Sequence, residues 1–237
     1  MAVAMKQILV LANSIRKNGR CIAGRQITDH IGTPVLGDWI RPVSKNGEGE
    51  LTDDYCRGPN GQMLKIFDII DIPLWACENS KSQPENWFID PKQKWTKASV
   101  PSGLPRIAPD GPIDLWDAPG PRLDRISPED LAALNRNQSL YLIPVTKFRM
   151  ELSWTIFEEE CHKRRRAIFD YKGIEYNLAL TDPAIQDKYC RQFPKPEEAP
   201  KIITLPSGGT CQLCVSLAPA FHGYHYKVVA TVIEGTP

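Results

Sequence analysis

The chain has 237 residues, 42% of them hydrophobic and 24% charged, with a formal net charge of +1. That length is enough for one large domain or two small ones, each burying its own core. The near-zero charge excludes a strongly basic body that grips nucleic acid by charge alone, so any phosphate-contacting surface has to be local. The 21 prolines argue against long helices and for short strands joined by loops.

Ile8 to Leu11 is a short apolar run ended by Asn13-Ser14, which predicts a strand buried on both faces. Asn18-Gly19 is a turn signal, because both residue types tolerate positive φ. A second strand follows from Arg20 to Ile27, a loop from Gly32 to Pro34, and a third extended segment from Val35 to Ser44. Strand, tight turn, strand, loop, strand begins a meander and favours an all-β fold.

Glu48 to Gln62 is polar and glycine-rich and predicts a loop. Ile66 to Ile72 is a β-branched strand closed by Pro73. From about 77 to 128 the text changes, with Trp87, Trp95 and Trp116 scattered among prolines, glycines and charges. It reads as a long irregular insertion packed by its aromatics, unusual enough in a compact domain to be functional or to hide further structure. Ser127-Pro128 starts a short helix by the N-cap and N1-proline rule.

Leu140 to Phe148 is again a strand, whose Pro144 suggests an edge or a bulge, and Glu151 to Phe157 continues extended. Arg166 to Leu180 predicts a hairpin around Lys172-Gly173. Thr181-Asp182-Pro183 caps a helix ending near Cys190. Two strands close the chain, Thr210 to Leu217 and Tyr224 to Ile233. The tally is two successive sets of strands, each with one short helix. It fits a mainly β fold of two small barrels of the OB type, residues 1–148 and 149–237. A single large β-sandwich is the competing architecture.

Several stretches carry candidate chemistry. Trp39 and Arg41 sit two apart on a strand and share a face, so an indole and a guanidinium there would stack a base and hold a phosphate. The plainer alternative is a core aromatic beside a surface ion-pair partner. Asn13, Ser14, Arg16, Lys17 and Arg20 surround the first turn, where exposed amides and guanidiniums would meet phosphates, or where a hairpin turn is simply solvated. His162 to Arg166 is the densest basic run, but Glu158-Glu159-Glu160 precedes it, and a self-neutralising turn is the favoured reading. Phe169 and Tyr171 offer either a second stacking platform or core.

Cys211 and Cys214 with His222 and His225 have zinc-ligand residue types. Residues three apart on a strand point to opposite faces, however, so no metal or other cofactor is expected. Asp170-Tyr171-Lys172 resembles the carboxylate-x-lysine ending of metal-dependent nucleases, and a hairpin with a Lys-Gly turn explains it more simply. No phosphate loop, nucleotide fingerprint or nucleophile elbow is present, so no catalytic residues are assigned. The seven cysteines are scattered and odd in number, and Met1 to Leu11 is too short for a signal h-region. With no apolar run of the roughly 20 residues that span a bilayer, a cytoplasmic protein with reduced thiols and no membrane contact is expected.

Leu11-Ala12-Asn13-Ser14, Cys21-Ile22-Ala23-Gly24, Gly37-x-Trp39-Ile40-Arg41-Pro42-Val43-Ser44 and Gln83-Pro84-Glu85-Asn86 together resemble the dual OB-containing domain family of bacterial proteins. Thr181-Asp182-Pro183 and the closing Val215 to Leu217 and Tyr226 to Ala230 extend the likeness over nearly the whole chain. The resemblance implies a pair of OB-type barrels and, from that fold, recognition of nucleic acid or a nucleotide; it carries no catalytic residues. The functional expectation is a non-enzymatic module that binds single-stranded nucleic acid or a nucleotide-type ligand through Asn13, Ser14, Arg16, Lys17, Arg20, Trp39 and Arg41. The alternative is an adaptor that docks a larger effector, a nuclease or helicase, through its tryptophan-rich insertion.

Overall fold

The structure is a computed structural model. It describes residues 3–16, 19–30, 33–45, 49–58, 61–78, 80–98, 105–118, 120 and 123–235. The chain forms two compact units, residues 1–108 with 137–139, and residues 109–136 with 140–237. The position 148/149, where the sequence suggested a division, falls inside a strand of the second unit.

The first unit is built on β1 (Ala4–Arg16), β2 (Gly19–His30), β3 (Thr33–Val43), β4 (Ile69–Cys77) and β5 (Asn86–Ile89). These pair in the order β1-β2-β3-β5-β4, and β4 pairs back onto β1, closing a five-stranded barrel. Only the β3–β5 contact is parallel, matching Arg41 with Asn86 and Val43 with Phe88. Inward-facing Ile8, Val10, Ile22, Ile40, Ile70, Ile72, Leu74 and Ile89 form the core. Gly24 lets β1 and β2 close tightly at the β1 bulge, since a Cβ there would lie 2.1 Å from the Leu9 carbonyl oxygen. The small-residue run Cys21 to Gly24 is thus a packing requirement. Between β3 and β4 no helix forms among the described residues. A loop covers the barrel with buried Leu51, Cys56 and Leu64, tied to β2 by reciprocal Arg20–Leu51 backbone bonds of 2.8 and 2.9 Å.

Sequence and structure part in three places here. Asn13 and Ser14 do not end β1, which runs on to Arg16. Pro73 does not close its strand but lies within β4, opposite Met5. The insertion from 77 to 128 is not irregular throughout. It supplies β5, which the barrel needs to close, then β6 (Thr96–Ala98) beside β4 and β7 (Arg125–Ile126) in the second unit. Strands of two to four residues carry too little periodicity to read.

The second unit repeats the topology with β8 (Leu140–Phe157), β9 (Glu160–Tyr171), β10 (Ile174–Leu180), β12 (Cys211–Phe221) and β13 (Tyr224–Glu234); β11 (Lys201–Thr204) flanks β8. The order is β10-β9-β8-β12-β13, closed by a parallel β10–β13 pairing at Ala179–Val228 and Leu180–Val229. The two extended segments expected on either side of residue 149 are one strand, kinked where the β8–β9 register shifts between Thr146 and Arg149 and where Lys147 takes φ 53°. Three hairpin turns have positive φ at both central residues: Glu158-Glu159, Lys172-Gly173 and His222-Gly223, the two-residue form that matches strand twist. The chain is therefore mainly β, two five-stranded barrels of OB topology. The sandwich alternative is excluded by the closing pairs.

The core of the second barrel takes Phe148, Phe169, Tyr176, Leu178, Leu213 and Val229, with Leu115 and Trp116 added from the chain that precedes it. Trp116 stacks on Tyr141 at 4.4 Å. Asp117 next to it accepts from fully buried Lys227 Nζ at 2.6 Å and from the Tyr176 hydroxyl. Burial pulls the Lys227 ammonium below its usual pKa while Asp117 opposes that shift.

Two short helices form where the sequence placed them, α1 (Pro128–Ala133) and α2 (Pro183–Tyr189). Asp182 caps α2 by accepting from the Ala184 and Ile185 N–H groups at 2.8 and 3.2 Å, while its other oxygen accepts from Val232 N–H of β13 at 2.8 Å. Thr181 N–H donates to the Val229 carbonyl at 3.0 Å. Thr181-Asp182 thus fastens the end of β10 to β13 beside the parallel pair that closes the barrel. Asp182→Ala removes a cap and strands a buried β13 donor. It is expected to cost about 2–4 kcal/mol in urea unfolding, against well under 1 kcal/mol for an exposed control such as Asp187→Ala.

Candidate functional site

The residues expected to form a ligand surface lie in the first barrel and are mostly built into it. Trp39 and Arg41 are each 5% exposed, Asn13 8% and Ser14 7%, so neither the indole nor the guanidinium offers an open face for a base or a phosphate. Asn13 donates to the Leu64 carbonyl at 2.7 Å and accepts from Arg20 at 3.4 Å, and Arg20 pairs with Asp53 at 2.9 Å. These side chains bind the covering loop to β1 and β2. Arg16 is half-buried at the end of β1. Lys17 and Asn18 lie outside the described residues.

Arg41 belongs to a buried polar network. Its guanidinium donates to Asn86 Oδ1 at 3.1 Å and Ser139 Oγ at 3.2 Å, and its backbone N–H donates to the Glu85 carbonyl at 2.8 Å. The Glu85 carboxylate accepts from Ser139 N–H and Oγ at 2.6 and 2.7 Å. Asn86 in turn donates to Gln83 and Glu78. The Gln83 to Asn86 motif and Arg41 thus meet across the parallel β3–β5 pair that closes the barrel, and the phosphate-contact reading of Arg41 gives way to a structural one. The shared face expected for Trp39 and Arg41 holds, but it is covered.

Other sequence candidates are likewise engaged. Phe169 and Tyr171 are core, not a platform. Asp170 pairs with Lys147 at 2.6 Å while Lys172 reaches the Pro112 carbonyl at 2.7 Å. Cys211 sits opposite Glu234 at one end of the β12–β13 ladder and His225 opposite Ala220 towards the other. Among the described residues no three His, Cys, Asp or Glu side chains gather as a metal site. Of the three tryptophans of the insertion, Trp95 and Trp116 go into the two cores and Trp87, partly buried, packs against the first.

An exposed surface of different make-up occurs on the second barrel. The β8–β9 and β12–β13 hairpins are the connections between the first and second and the fourth and fifth strands of an OB barrel, the loops that hold oligonucleotides in many such folds. Their tips meet. Phe157, 48% exposed, lies 6.5 Å from the His162 ring and 6.4 Å from His222. His222 packs edge-on against Phe221, 52% exposed, at 4.1 Å, and Phe221 is 6.4 Å from Tyr226. Arg125, held by both oxygens of Asp124, extends the row with its guanidinium 4.8 Å from the Tyr226 ring and 5.8 Å from Tyr224. The rings follow one another across two strand pairs.

The basic run lies alongside, in β9 and not in a turn as expected. Lys163 is exposed, 5.8 and 5.3 Å from the Trp154 and Phe193 rings, and Arg165 is 5.3 Å from Phe193. Those two rings meet edge-on at 5.7 Å, and the Trp154 indole donates to the Pro194 carbonyl at 2.7 Å. Arg164 projects from the opposite face of the strand and is exposed. The acids Glu158 and Glu159 are confined to the turn, whereas Glu160 opens β9 with its carboxylate 3.7 Å from His162 Nε2. Sequence reading missed this surface because it weighed aromatics beside the Lys172-Gly173 turn and not those beside Glu158-Glu159 and His222-Gly223. The available signal was Phe157 and Phe221, each the last residue of its strand and beyond its buried stretch.

Arg41→Ala is expected to cost about 2–4 kcal/mol of stability, because Asn86 and Ser139 lose a charged partner in a buried place. Arg41→Lys does not restore it, since one ammonium cannot reproduce the two-pronged fork. Equilibrium urea unfolding of both variants checks this.

No helix among the described residues is long and apolar enough to cross a membrane. Comparison with curated proteins and with solved structures returns no match in either set. The family comparison, in contrast, spans both barrels: the dual OB-containing domain model matches residues 6–232, and the chain belongs to that family.

Proposed function

We propose that the protein is a non-enzymatic recognition module for single-stranded nucleic acid, with the ring row of the second barrel as its contact surface. The observation that carries this reading is the meeting of Phe157 and His222, 6.4 Å apart, at the tips of the two hairpins that OB folds commonly use for ligands. Exposed rings in sequence offer stacking surfaces to successive bases, which is sequence-tolerant because every base has a π-face. Arg164, two residues from His162 on β9 and so on the same face, supplies a phosphate contact, and the overall charge of +1 keeps the attraction local and salt-sensitive. A catalytic role has less support, since Asp170 and Lys172 are each committed elsewhere in the fold.

Two tests follow. In fluorescence polarisation with labelled oligothymidylate and oligouridylate at low salt, Phe157→Ala and Phe221→Ala each weaken binding by about 1–3 kcal/mol, while both remain folded by circular dichroism. Arg164→Ala lowers the slope of log affinity against log salt by about 0.7 for a single strand. Unchanged affinity in the ring variants contradicts the reading.

The second test concerns the turn acids. Glu158→Gln with Glu159→Gln is expected to raise affinity at low salt by about 0.2–1 kcal/mol, the scale of exposed charge interactions. That gain disappears near 1 M salt, where the Debye length falls to about 3 Å.

A further inference from the structure

We propose that the first barrel carries a separate binding site for a small nucleoside phosphate, in the cleft between its covering loop and the chain that follows β5. The cleft has a volume of about 1240 Å³ and is bounded by Ser44 and Lys45, by residues within 50–58, by Trp75 of β4 and by residues within 89–95. Small-molecule sites usually measure about 300–1,000 Å³, so a nucleotide fits with room for water. The site is independent of the ring row on the other barrel.

Three features narrow the ligand's chemistry. The first is a fixed aromatic wall. Trp75 is half-buried, and its indole N–H is held by Asp90, whose carboxyl also takes the Lys92 backbone N–H at 3.0 Å and the Gln93 amide at 2.7 Å. These donors, the Lys92 N–H foremost, keep Asp90 below the usual carboxylate range. A ring pinned at its edge in this way is pre-organised for stacking.

The second feature is an unmet donor. Trp95 lines the cleft at 5% exposure, and its indole nitrogen is buried with no hydrogen-bond partner. Buried polar groups are nearly always paired, and a ligand acceptor entering the cleft would supply the partner. The third is charge. Four cationic side chains line the cleft against two acids. Lys45, exposed, lies 4.3 Å from the Trp75 centroid, and Lys92 and Lys94 are exposed at the edge. Glu50 and Asp54 also line the cleft and would accept sugar hydroxyls, a role carboxylates take towards ribose. A bare phosphate leaves the aromatic wall unused and an uncharged base leaves the lysines unused. A nucleoside phosphate uses both.

Calorimetric titration of the full chain with ATP and with GTP tests this, with adenosine and inorganic phosphate as separate arms. The expected result is saturable binding of at least one nucleotide with Kd below about 1 mM, and binding of adenosine and of phosphate weaker by about tenfold or more. Lys92→Ala with Lys94→Ala, both exposed and so without effect on folding, weakens nucleotide binding by about tenfold. Trp95→Phe keeps the packing, removes the donor, and weakens it by about fivefold. Phe157→Ala with Phe221→Ala leaves it unchanged, which separates this site from nucleic-acid binding on the other barrel. No saturable nucleotide binding, phosphate matching the nucleotide, or an unaffected lysine double variant overturns the proposal.

Discussion

Each barrel depends on a short parallel strand pair, because five strands enclose a core only if the third and fifth are joined. In the first barrel that junction is Arg41 to Val43 against Asn86 to Phe88; in the second it is Ala179-Leu180 against Val228-Val229. So few parallel bonds are a weak seam. Both seams are reinforced by a side chain at the end of the third strand, the Arg41 guanidinium on Asn86 in one barrel and the Asp182 carboxylate on Val232 N–H in the other. The chemistry is opposite in sign and the mechanical role is the same: a charged side chain satisfies buried polar groups that an open edge would expose. Once the seam holds, the inward faces of all five strands share one core and the outward connections are free to vary.

This division of labour explains where function is to be sought. The motif-bearing segments Gln83 to Asn86, Thr181 to Pro183 and the strand carrying Trp39 and Arg41 serve closure. Side chains that closure leaves exposed gather at the hairpin tips of the second barrel and around the cleft of the first. Phe157 and Phe221 are each about half exposed, a cost to a water-facing surface that the proposed binding role would offset.

Much of the fold was legible from residues alone. The long strands announced themselves through Ile8 to Leu11, Val35 to Ser44 and Tyr224 to Ile233, and both helix starts through Ser127-Pro128 and Asp182-Pro183, because caps and apolar runs are local signals. What was not legible is non-local. Nothing in Asn86 to Ile89 marks it as a closing strand until Arg41 stands beside it, and Pro73 looks like a stop until its position in β4 is known. Distinctiveness was also mistaken for exposure at Trp39 and Arg41. A strand with two residues of that kind on one face reads equally as a ligand surface or as a clamp, and only the 5% exposure of both decides between them. The basic run was misjudged for a related reason: two of its three acids, Glu158 and Glu159, sit in the turn, while Lys163 and Arg165 lie along β9 beside Trp154 and Phe193.

The central claim is that single-stranded nucleic acid meets the ring row at the paired hairpin tips. It is tested most directly by photocrosslinking the full chain to an iodouridine-containing single-stranded oligonucleotide and mapping the adducts by mass spectrometry. The account predicts adducts on Phe157, His222, Phe221 or Tyr226. Adducts confined to the first barrel, or none at concentrations that saturate binding, would contradict it.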